Sequence, residues 1–377
     1  MARKGEETMK KFAVLLMLVC LVTALCACPN GRTDDLDTIT VVDHDGNTVT
    51  LPKEIKKIVV ADIFPLPSVL AVFFDSADKL VGIAPTSMAA AKNSLLSELY
   101  PEILNAKTDF MQGSTVNTEE LAKLEPDVVF YSAGNAQQGE NLRNAGFNAV
   151  AISANKWGYN AIETLNQWID LLSQMFPASK DRAAIAQRAS NEAYTLVSER
   201  VGNLKDEEKK NAFFIFQCNE STILTSGKNF FGQWWADAMG ANNVAEELTK
   251  DNSVAVNLEQ VIKWNPDVIF ITNFTPVQPN DLYTNAIGNY DWSAISAIIS
   301  HQVYKMPLGM YRSYTPGIDT PVTLLWFAKT VYPELFEDID VIEEVIAYYD
   351  EVFGIKLTEE QAKGIFAPSG NAGIIDY

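Results

Sequence analysis

Side chains that usually carry catalysis or hold metals are scarce in this chain of 377 residues. It has two histidines and four cysteines, and 29 basic residues face 48 acidic ones. His44 falls in a predicted turn and His301 at the start of a predicted strand, which disfavours a zinc or manganese site built from several histidines. The sequence also lacks G-x-S-x-G, H-E-x-x-H, a phosphate-binding loop and a glycine-rich dinucleotide fingerprint. We therefore expect no enzyme, no cofactor and no protein-held metal, with a hydrolase built on paired carboxylates as the alternative.

Apolar runs long enough to cross a membrane are also missing after the first segment. From Phe12 to Cys28 the chain is apolar except for Thr23, and Lys10-Lys11 precede this run. A short apolar run behind a positive flank is typical of a secretory signal, so residues 1–27 are predicted to be a signal peptide.

The apolar run ends in Leu-Cys-Ala-Cys, which resembles a bacterial lipobox and predicts lipidation of Cys28. Residues 28–37 would then form a lipidated tether, with either Met1 or Met9 as the start of the leader. Two or three acyl chains hold a protein stably on a bilayer. We expect the mature chain on the outer face of the bacterial cytoplasmic membrane, in the periplasm or at the cell surface. An unmodified signal that is cleaved nearby is the alternative.

Removal of that leader would make the chain more acidic. The leader carries four basic and two acidic residues, so the remainder has 25 basic and 46 acidic residues and a formal net charge of −21. Nucleic acid is an unsuitable partner for such a surface. Cys218 would be the one cysteine left besides Cys28, so we expect no disulfide framework and a buried thiol at Cys218.

One segment occurs twice. Residues 117–130 read N-T-E-E-L-A-K-L-E-P-D-V-V-F, and residues 257–270 read N-L-E-Q-V-I-K-W-N-P-D-V-I-F, with seven of fourteen positions identical. In both copies the asparagine suits a helix N-cap, the proline ends the helix, and the aspartate opens a strand. Glu119 and Glu259 gain a little from the helix dipole. Their matched positions also suggest two equivalent anions for a two-fold partner.

The element order around the two copies also repeats. Strand and helix patterns alternate before and after a long helix at about 179–201, and a D-G hairpin precedes the first strand. We predict an α/β fold with two similar lobes, each a mostly parallel sheet flanked by helices, joined by one long rigid helix. The predicted boundaries are 38–156 for the N-terminal lobe, 157–205 for the linking helices and 206–377 for the C-terminal lobe.

Taken in order, these motifs resemble the periplasmic binding proteins of ABC importers for ferric siderophores, haem and cobalamin. The resemblance rests on the hairpin, K-I-V-V-A, both copies of N-x-E-x-[LV]-x-x-x-x-P-D, the single linking helix and V-Y-x-[MV]-P. It implies a ligand cleft between the lobes and a monomer that delivers its ligand to a permease dimer with its ATPase. It also implies that Glu119 and Glu259 dock onto arginines of the permease.

The ligand is predicted to bind beyond the carboxyl ends of the strands. The expected small molecule is a metal chelate, because it brings its own metal ligands. A ferric siderophore or related iron chelate comes first and cobalamin or haem next; a single axial tyrosine or methionine could serve haem. Arg312 in an aromatic setting would suit carboxylate or catecholate charge. The candidate ligand-binding residues are Phe64, Ser87, Tyr131, Asn135, Trp157, Asn273, Phe274, Tyr311 and Arg312.

Other interpretations of these residues stay open. Arg312 could form a surface salt bridge, and Trp157 could be a packing residue at a helix start. A ligand sensor or structural lipoprotein of the same fold, with no role in transport, is the alternative function.

Overall fold

The computed structural model describes residues 37–374, without the side chains of residues 179–183. The predicted signal peptide, Cys28 and nearly all of the predicted tether therefore lie outside the described residues. Within the described part, no helix is both long and apolar enough to span a bilayer.

The first lobe is built on a small parallel sheet. A hairpin of β1 (Thr38–Val42) and β2 (Thr48–Pro52) precedes it. The sheet order is β4-β3-β7-β8, with all neighbours parallel. Its elements in chain order are β3 (Ile58–Val60), α1 (Leu66–Phe74), β4 (Leu80–Ile83), α2 (Pro85–Ala91), α3 (Leu95–Leu99), β5 (Met111–Gln112), β6 (Thr115–Val116), α4 (Thr118–Ala122), β7 (Val128–Ser132), α5 (Ala136–Asn144) and β8 (Ala149–Ile152).

Two helices link the lobes. α6 (Ala161–Met175) buries Leu165, Trp168 and Leu172 on one face, and Pro177 separates it from α7 (Lys180–Val201). α7 has 22 residues, which corresponds to roughly 33 Å at 1.5 Å per residue.

The second lobe repeats the order with a longer, mixed sheet. Its central strands β9, β13 and β14 are parallel, whereas β10 runs antiparallel to both β9 and β12. The elements are β9 (Asn211–Cys218), β10 (Ile223–Ser226), α8 (Phe231–Ala238), β11 (Asn242–Asn243), β12 (Ser253–Val256), α9 (Leu258–Trp264), β13 (Val268–Ile271), α10 (Pro279–Tyr283), α11 (Ser296–Ile299), β14 (Val303–Lys305), α12 (Thr320–Val331), α13 (Val341–Phe353) and α14 (Glu359–Ile365).

The duplicated segment has the same structure in both lobes. Asn117 caps α4 and Asn257 caps α9 through side-chain oxygens that accept backbone N–H groups. The carboxylate of Asp127 accepts the N–H groups of Lys56 and Lys57, at the entry of β3, at 2.7 and 2.8 Å. Asp267 accepts the N–H of Asn211 at the start of β9 at 2.8 Å. Each Pro-Asp pair therefore fastens the start of the neighbouring strand.

The predicted boundary placed all residues from 206 to 377 in the second lobe. In the structure, the last helices return to the first lobe. Val345, Tyr349 and Val352 of α13 pack in one apolar cluster with Ile58 and Val60 of β3. Ala362 and Ile365 of α14 belong to the same cluster. The reason is that α13 is amphipathic, and its apolar face packs against the linking helix α7 and joins this cluster. Residues 341–365 therefore complete the core of the N-terminal lobe.

The hairpin turn also differs from the prediction of a two-residue D-G turn. Val42 pairs with Thr48, so the loop has five residues. The Asp43 carboxylate accepts the N–H of Asn47 at 2.8 Å and that of Ala151 at 2.9 Å, which organises the loop and holds it against β8. Hydrogen bonds to the Asp43 side chain therefore stabilise a longer loop in place of the tight two-residue turn.

His44 locks the same loop to the first lobe in its neutral form. Its Nδ1 accepts the N–H of Ser153 at 3.1 Å, so the proton resides on Nε2, which faces the carbonyl of Gln167 at 3.3 Å. Burial lowers the pKa of His44 to about 4, against a partly offsetting effect of the Gln167 carbonyl. Its structural role was predicted from its place in the hairpin.

We predict that the free energy of unfolding decreases as pH falls from about 6.5 to about 4. The unfolded chain takes up a proton on His44 in this window and the folded chain does not, so acid favours unfolding by up to about 3 kcal/mol, less what solvent screens. The His44→Gln variant should lose this part of the pH dependence in urea unfolding. An unchanged slope in the variant would show that other groups cause it.

Candidate functional site

A cleft between the lobes is the candidate ligand site. It has a volume of about 680 Å³, within the range of pockets that enclose drug-sized ligands. The first lobe supplies most of the wall, and the second lobe closes it with the start of α8 and the loop before β12. The side chains around it are Asp62, Phe64, Pro85, Thr86, Met111, Ser114, Ser132, Asn135, Asn155, Tyr159, Phe230, Phe231 and Asn252.

Asp62 is the charged group of this cleft. It lies two residues after the end of β3, and its carboxylate accepts hydrogen bonds from the N–H of Ser132 at 2.5 Å and from the side-chain amide of Asn135 at 3.1 Å. Burial raises the pKa of Asp62, and the two hydrogen bonds oppose that shift. Among the described residues that line the cleft, none is basic.

Aromatic rings form the opposite side. Tyr159 contacts Phe230 and Phe231 edge to face, with ring centroids 5.6 and 5.0 Å apart. Tyr159 and Asn252 both have positive φ angles, +59° and +65°, which non-glycine residues rarely adopt. Such strained backbone is concentrated at functional sites, because the surrounding structure must hold it.

Two of the predicted ligand residues line this cleft and a third supports it. Phe64 and Asn135 are in the wall. Asn135 also caps α5 by accepting the N–H of Gln138 at 3.2 Å. Ser87 is buried, and its hydroxyl donates to the carbonyl of Phe64 at 2.8 Å, so it orients Phe64 instead of lining the cleft.

Tyr131 and Trp157 lie elsewhere, which corrects their predicted place in the cleft. Tyr131 is fully buried because its ring packs against Gly139, and its hydroxyl accepts a hydrogen bond from Arg143 at 2.9 Å. Trp157 packs edge to face on His44 at 5.0 Å, which agrees with the packing alternative.

The remaining four predicted residues form a cluster at the junction of the lobes, in which Asn273, Tyr311 and Arg312 are buried and Phe274 is partly buried. Arg312 is 1% exposed and lies over the rings of Phe274 and Tyr311, at 4.7 and 5.3 Å from their centroids. Asn273 is buried beside them and donates to the carbonyls of Met306 and Pro307. The aromatic setting of Arg312 is as predicted, but neither a surface salt bridge nor an open cleft position is found.

Arg312 connects three parts of the chain. Its guanidinium donates to the carbonyls of Thr86 in the first lobe at 3.1 Å and of Asn273 in the second lobe at 3.0 Å. It also donates to Ala372 in the C-terminal segment at 2.5 Å, and to the hydroxyl of Tyr311 at 2.8 Å. Oxygen atoms of the protein therefore accept the hydrogen bonds of the Arg312 guanidinium, which explains why this side chain does not line the cleft.

The duplicated glutamates are exposed. Glu119 and Glu259 lie in the first turns of α4 and α9, and within the described residues neither forms an ion pair. Each follows a segment that lines the cleft, since Ser114 is five residues before Glu119 and Asn252 is seven before Glu259.

Groups that could hold a bare metal do not converge in residues 37–374, where no three histidine, cysteine, aspartate or glutamate side chains form a cluster. Cys218 is buried as predicted, and burial raises the pKa of its thiol to about 12. Its thiolate is therefore not accessible near neutral pH.

This architecture matches known proteins along most of its length. The family model described as periplasmic binding protein matches residues 58–308. The chain belongs to the periplasmic binding protein family. These are extracytoplasmic substrate-binding proteins that serve ABC importers, and they are not enzymes. The predicted family and the expectation of a binding protein are therefore confirmed.

Three relatives indicate the range of this similarity. The molybdate-binding protein MolA of Haemophilus influenzae is 26% identical over 370 residues, which is 90% of this chain and 95% of MolA. A periplasmic solute-binding protein from Veillonella parvula superposes with a TM-score of 0.77 at 27% identity, covering 89% of this chain and 98% of that one. Helicobacter pylori CeuE, in a nickel–histidine complex, reaches 0.69 at 22%, covering 87% and 99%.

Sequence reasoning missed several wall residues of this binding protein. Asp62 directly follows a predicted strand, so the rule about carboxyl ends of strands could have found it. Phe230 caps α8 and Phe231 begins it, and an apolar residue at a helix start does not by itself distinguish a wall ring from a core ring. The signal for Tyr159 and Asn252 is conformational, and a single sequence does not reveal it.

We predict that Arg312→Met loosens the junction between the lobes. Methionine keeps the apolar contacts but leaves the carbonyls of Thr86, Asn273 and Ala372 without donors, at about 1–3 kcal/mol for each one that stays buried. Urea unfolding should show the loss of stability, and small-angle scattering should show a larger radius of gyration. Arg188→Met, on the exposed side of α7, is the matched control. Equal stability and size for both variants would contradict this role.

Proposed function

We propose that this protein is a lipid-anchored binding protein that captures a metal chelate in the cleft between its lobes and delivers it to an ABC permease. The observation that carries the ligand class is the size and lining of the cleft. About 680 Å³ bounded by Phe64, Tyr159, Phe230 and Phe231 suits a bulky, partly apolar ligand. A ferric siderophore or related iron chelate is the first candidate, followed by cobalamin or haem.

Molybdate is the second candidate ligand, because MolA is 26% identical over nearly the whole chain. A tetrahedral oxyanion would fill only a small part of the cleft described above. Helices α2, α5 and α8 begin at the cleft, and the positive ends of helix dipoles favour anions.

The two ligand classes predict different titrations. We expect the mature protein to bind at least one ferric chelate, haem or cobalamin, seen by quenching of tryptophan fluorescence and by retention of a coloured ligand through purification. Molybdate and tungstate should bind more weakly. Tight binding of molybdate with no response to any chelate would replace the first candidate by the second.

Delivery is proposed to depend on Glu119 and Glu259, with anchoring through Cys28. Both glutamates are exposed, one per lobe, and their partners would be arginines of the two permease subunits. Charge-assisted hydrogen bonds are worth on the order of 1.5–3 kcal/mol each, and two on one rigid body add avidity. Excess acidic charge would also speed the encounter with a basic face.

We predict that Glu119→Ala combined with Glu259→Ala abolishes uptake while ligand affinity is retained, and that each single variant is intermediate. Uptake in whole cells and binding to the purified permease are the measurements. Asp78→Ala with Glu334→Ala removes the same charge from exposed sites outside α4 and α9, and should leave uptake unchanged. Normal uptake by the first double variant would rule out docking through these residues.

A further inference from the structure

The protein holds the carboxylate of Asp62 in place with two hydrogen bonds, but these do not occupy all of its acceptor sites. Ser132 donates to Oδ1 and Asn135 to Oδ2, which leaves acceptor capacity on a group with about four lone-pair sites. Asp62 also lines the cleft. The unused acceptor capacity is therefore available to a ligand.

At each helix that begins at the cleft, one of the first N–H groups is already bonded or missing. Asn135 already accepts the N–H of Gln138 at the start of α5. The N–H of Gly232 at the start of α8 is taken by the hydroxyls of Ser226 and Tyr314, at 2.8 and 3.0 Å. α2 begins with Pro85, which has no N–H to donate. Each of these helix starts therefore has fewer N–H groups left for an oxyanion.

The buried cations Arg312 and Lys305 are not available to a ligand either. Arg312 gives its N–H groups to protein oxygens, and Lys305 donates to the carbonyls of Thr272, Thr275 and Val277 at 2.7–2.9 Å. No basic residue lines the cleft in the described part of the chain. A ligand with excess negative charge would meet Asp62 without compensation.

We propose that Asp62 is a specificity-determining residue that accepts a hydrogen bond from, or pairs with, an N–H, O–H or cationic group on the ligand. This inference rests on the proposed function and narrows its ligand class to neutral or positively charged chelates with donor groups on their surface. The aromatic rings around the cleft strengthen it, because ring faces attract positive charge. Bare oxyanions and strongly anionic chelates are disfavoured by the same carboxylate.

The test compares Asp62→Asn with the wild type by isothermal titration calorimetry, using the nickel–histidine complex and molybdate as probes. The variant should bind nickel–histidine at least about tenfold more weakly, since a hydrogen bond to a charged acceptor is lost. It should bind molybdate about tenfold more tightly, since one repulsion is removed. Asp78→Asn carries the same change of net charge at an exposed site and should alter neither affinity.

Thermal unfolding shows whether Asp62→Asn is folded, and Asp62→Glu provides a second variant that keeps the charge and should keep the preference. Equal affinities of wild type and Asp62→Asn for each probe that binds would overturn the inference and leave the proposed function intact. Failure of the wild type to bind these probes, ferric chelates, haem and cobalamin would overturn the proposed function together with the inference.

Discussion

The contact that holds this molecule together is the buried guanidinium of Arg312. A cation removed from water is very costly unless its donors are satisfied, and here carbonyls of both lobes and of the C-terminal segment satisfy them. Within the described residues no carboxylate lies within salt-bridge distance of it. The neutral carbonyls therefore have to stay where they are, which fixes the lobes relative to each other more directly than α7 alone does.

The path of the chain after β14 also helps to fix the two lobes relative to each other. α12 packs in the core of the second lobe, and α13 and α14 return to the core of the first. The final segment then passes between α2 and the loop after β13, where a Cβ atom at Gly373 would lie 2.2 Å from the carbonyl carbon of Thr275. A side chain there would push the segment away from Arg312. The two lobes are thus crossed by the linking helices and again by the C-terminal helices, which leaves little freedom for a hinge.

Much of the fold could be predicted from the sequence because its determinants are local. The asparagine caps, the helix-ending prolines and the apolar strands at 117–130 and 257–270 each act within a few residues, and the duplication made the lobes visible. The aspartates act over a longer range, since Asp127 and Asp267 bind backbone N–H groups 70 and 56 residues earlier in the chain. The return of α13 to the first lobe was not predictable in this way. Its apolar face indicates burial but does not say against which lobe.

The candidate site was harder to predict, for a physical reason. A wall residue is defined by what its side chain does not contact, and that depends on every neighbour. Tyr131 lies near the end of β7 and Asp62 lies just after β3, so their positions in the sheet are similar. Gly139 nevertheless leaves room for the tyrosine ring inside the core, whereas Asp62 lines the cleft. Arg312 was correctly placed among aromatic rings, but the segment around Ala372, sixty residues later, takes up its donors. Polarity and position after a strand are therefore necessary for a cleft residue and not sufficient.

The side chains of the cleft wall favour a different ligand charge from the one that the helix dipoles favour. Three helices begin there, which favours an anion, yet at each start one N–H group is already bonded or missing, and among the described wall residues the charged one is an acid. Local hydrogen-bond satisfaction outweighs a macrodipole, because the dipole's effect resides largely in those unpaired N–H groups. The formal charge of −21 on residues 28–377 adds a further long-range field that salt screens within about 8–10 Å. The cleft wall, and not the net charge, must then decide which ligands are retained.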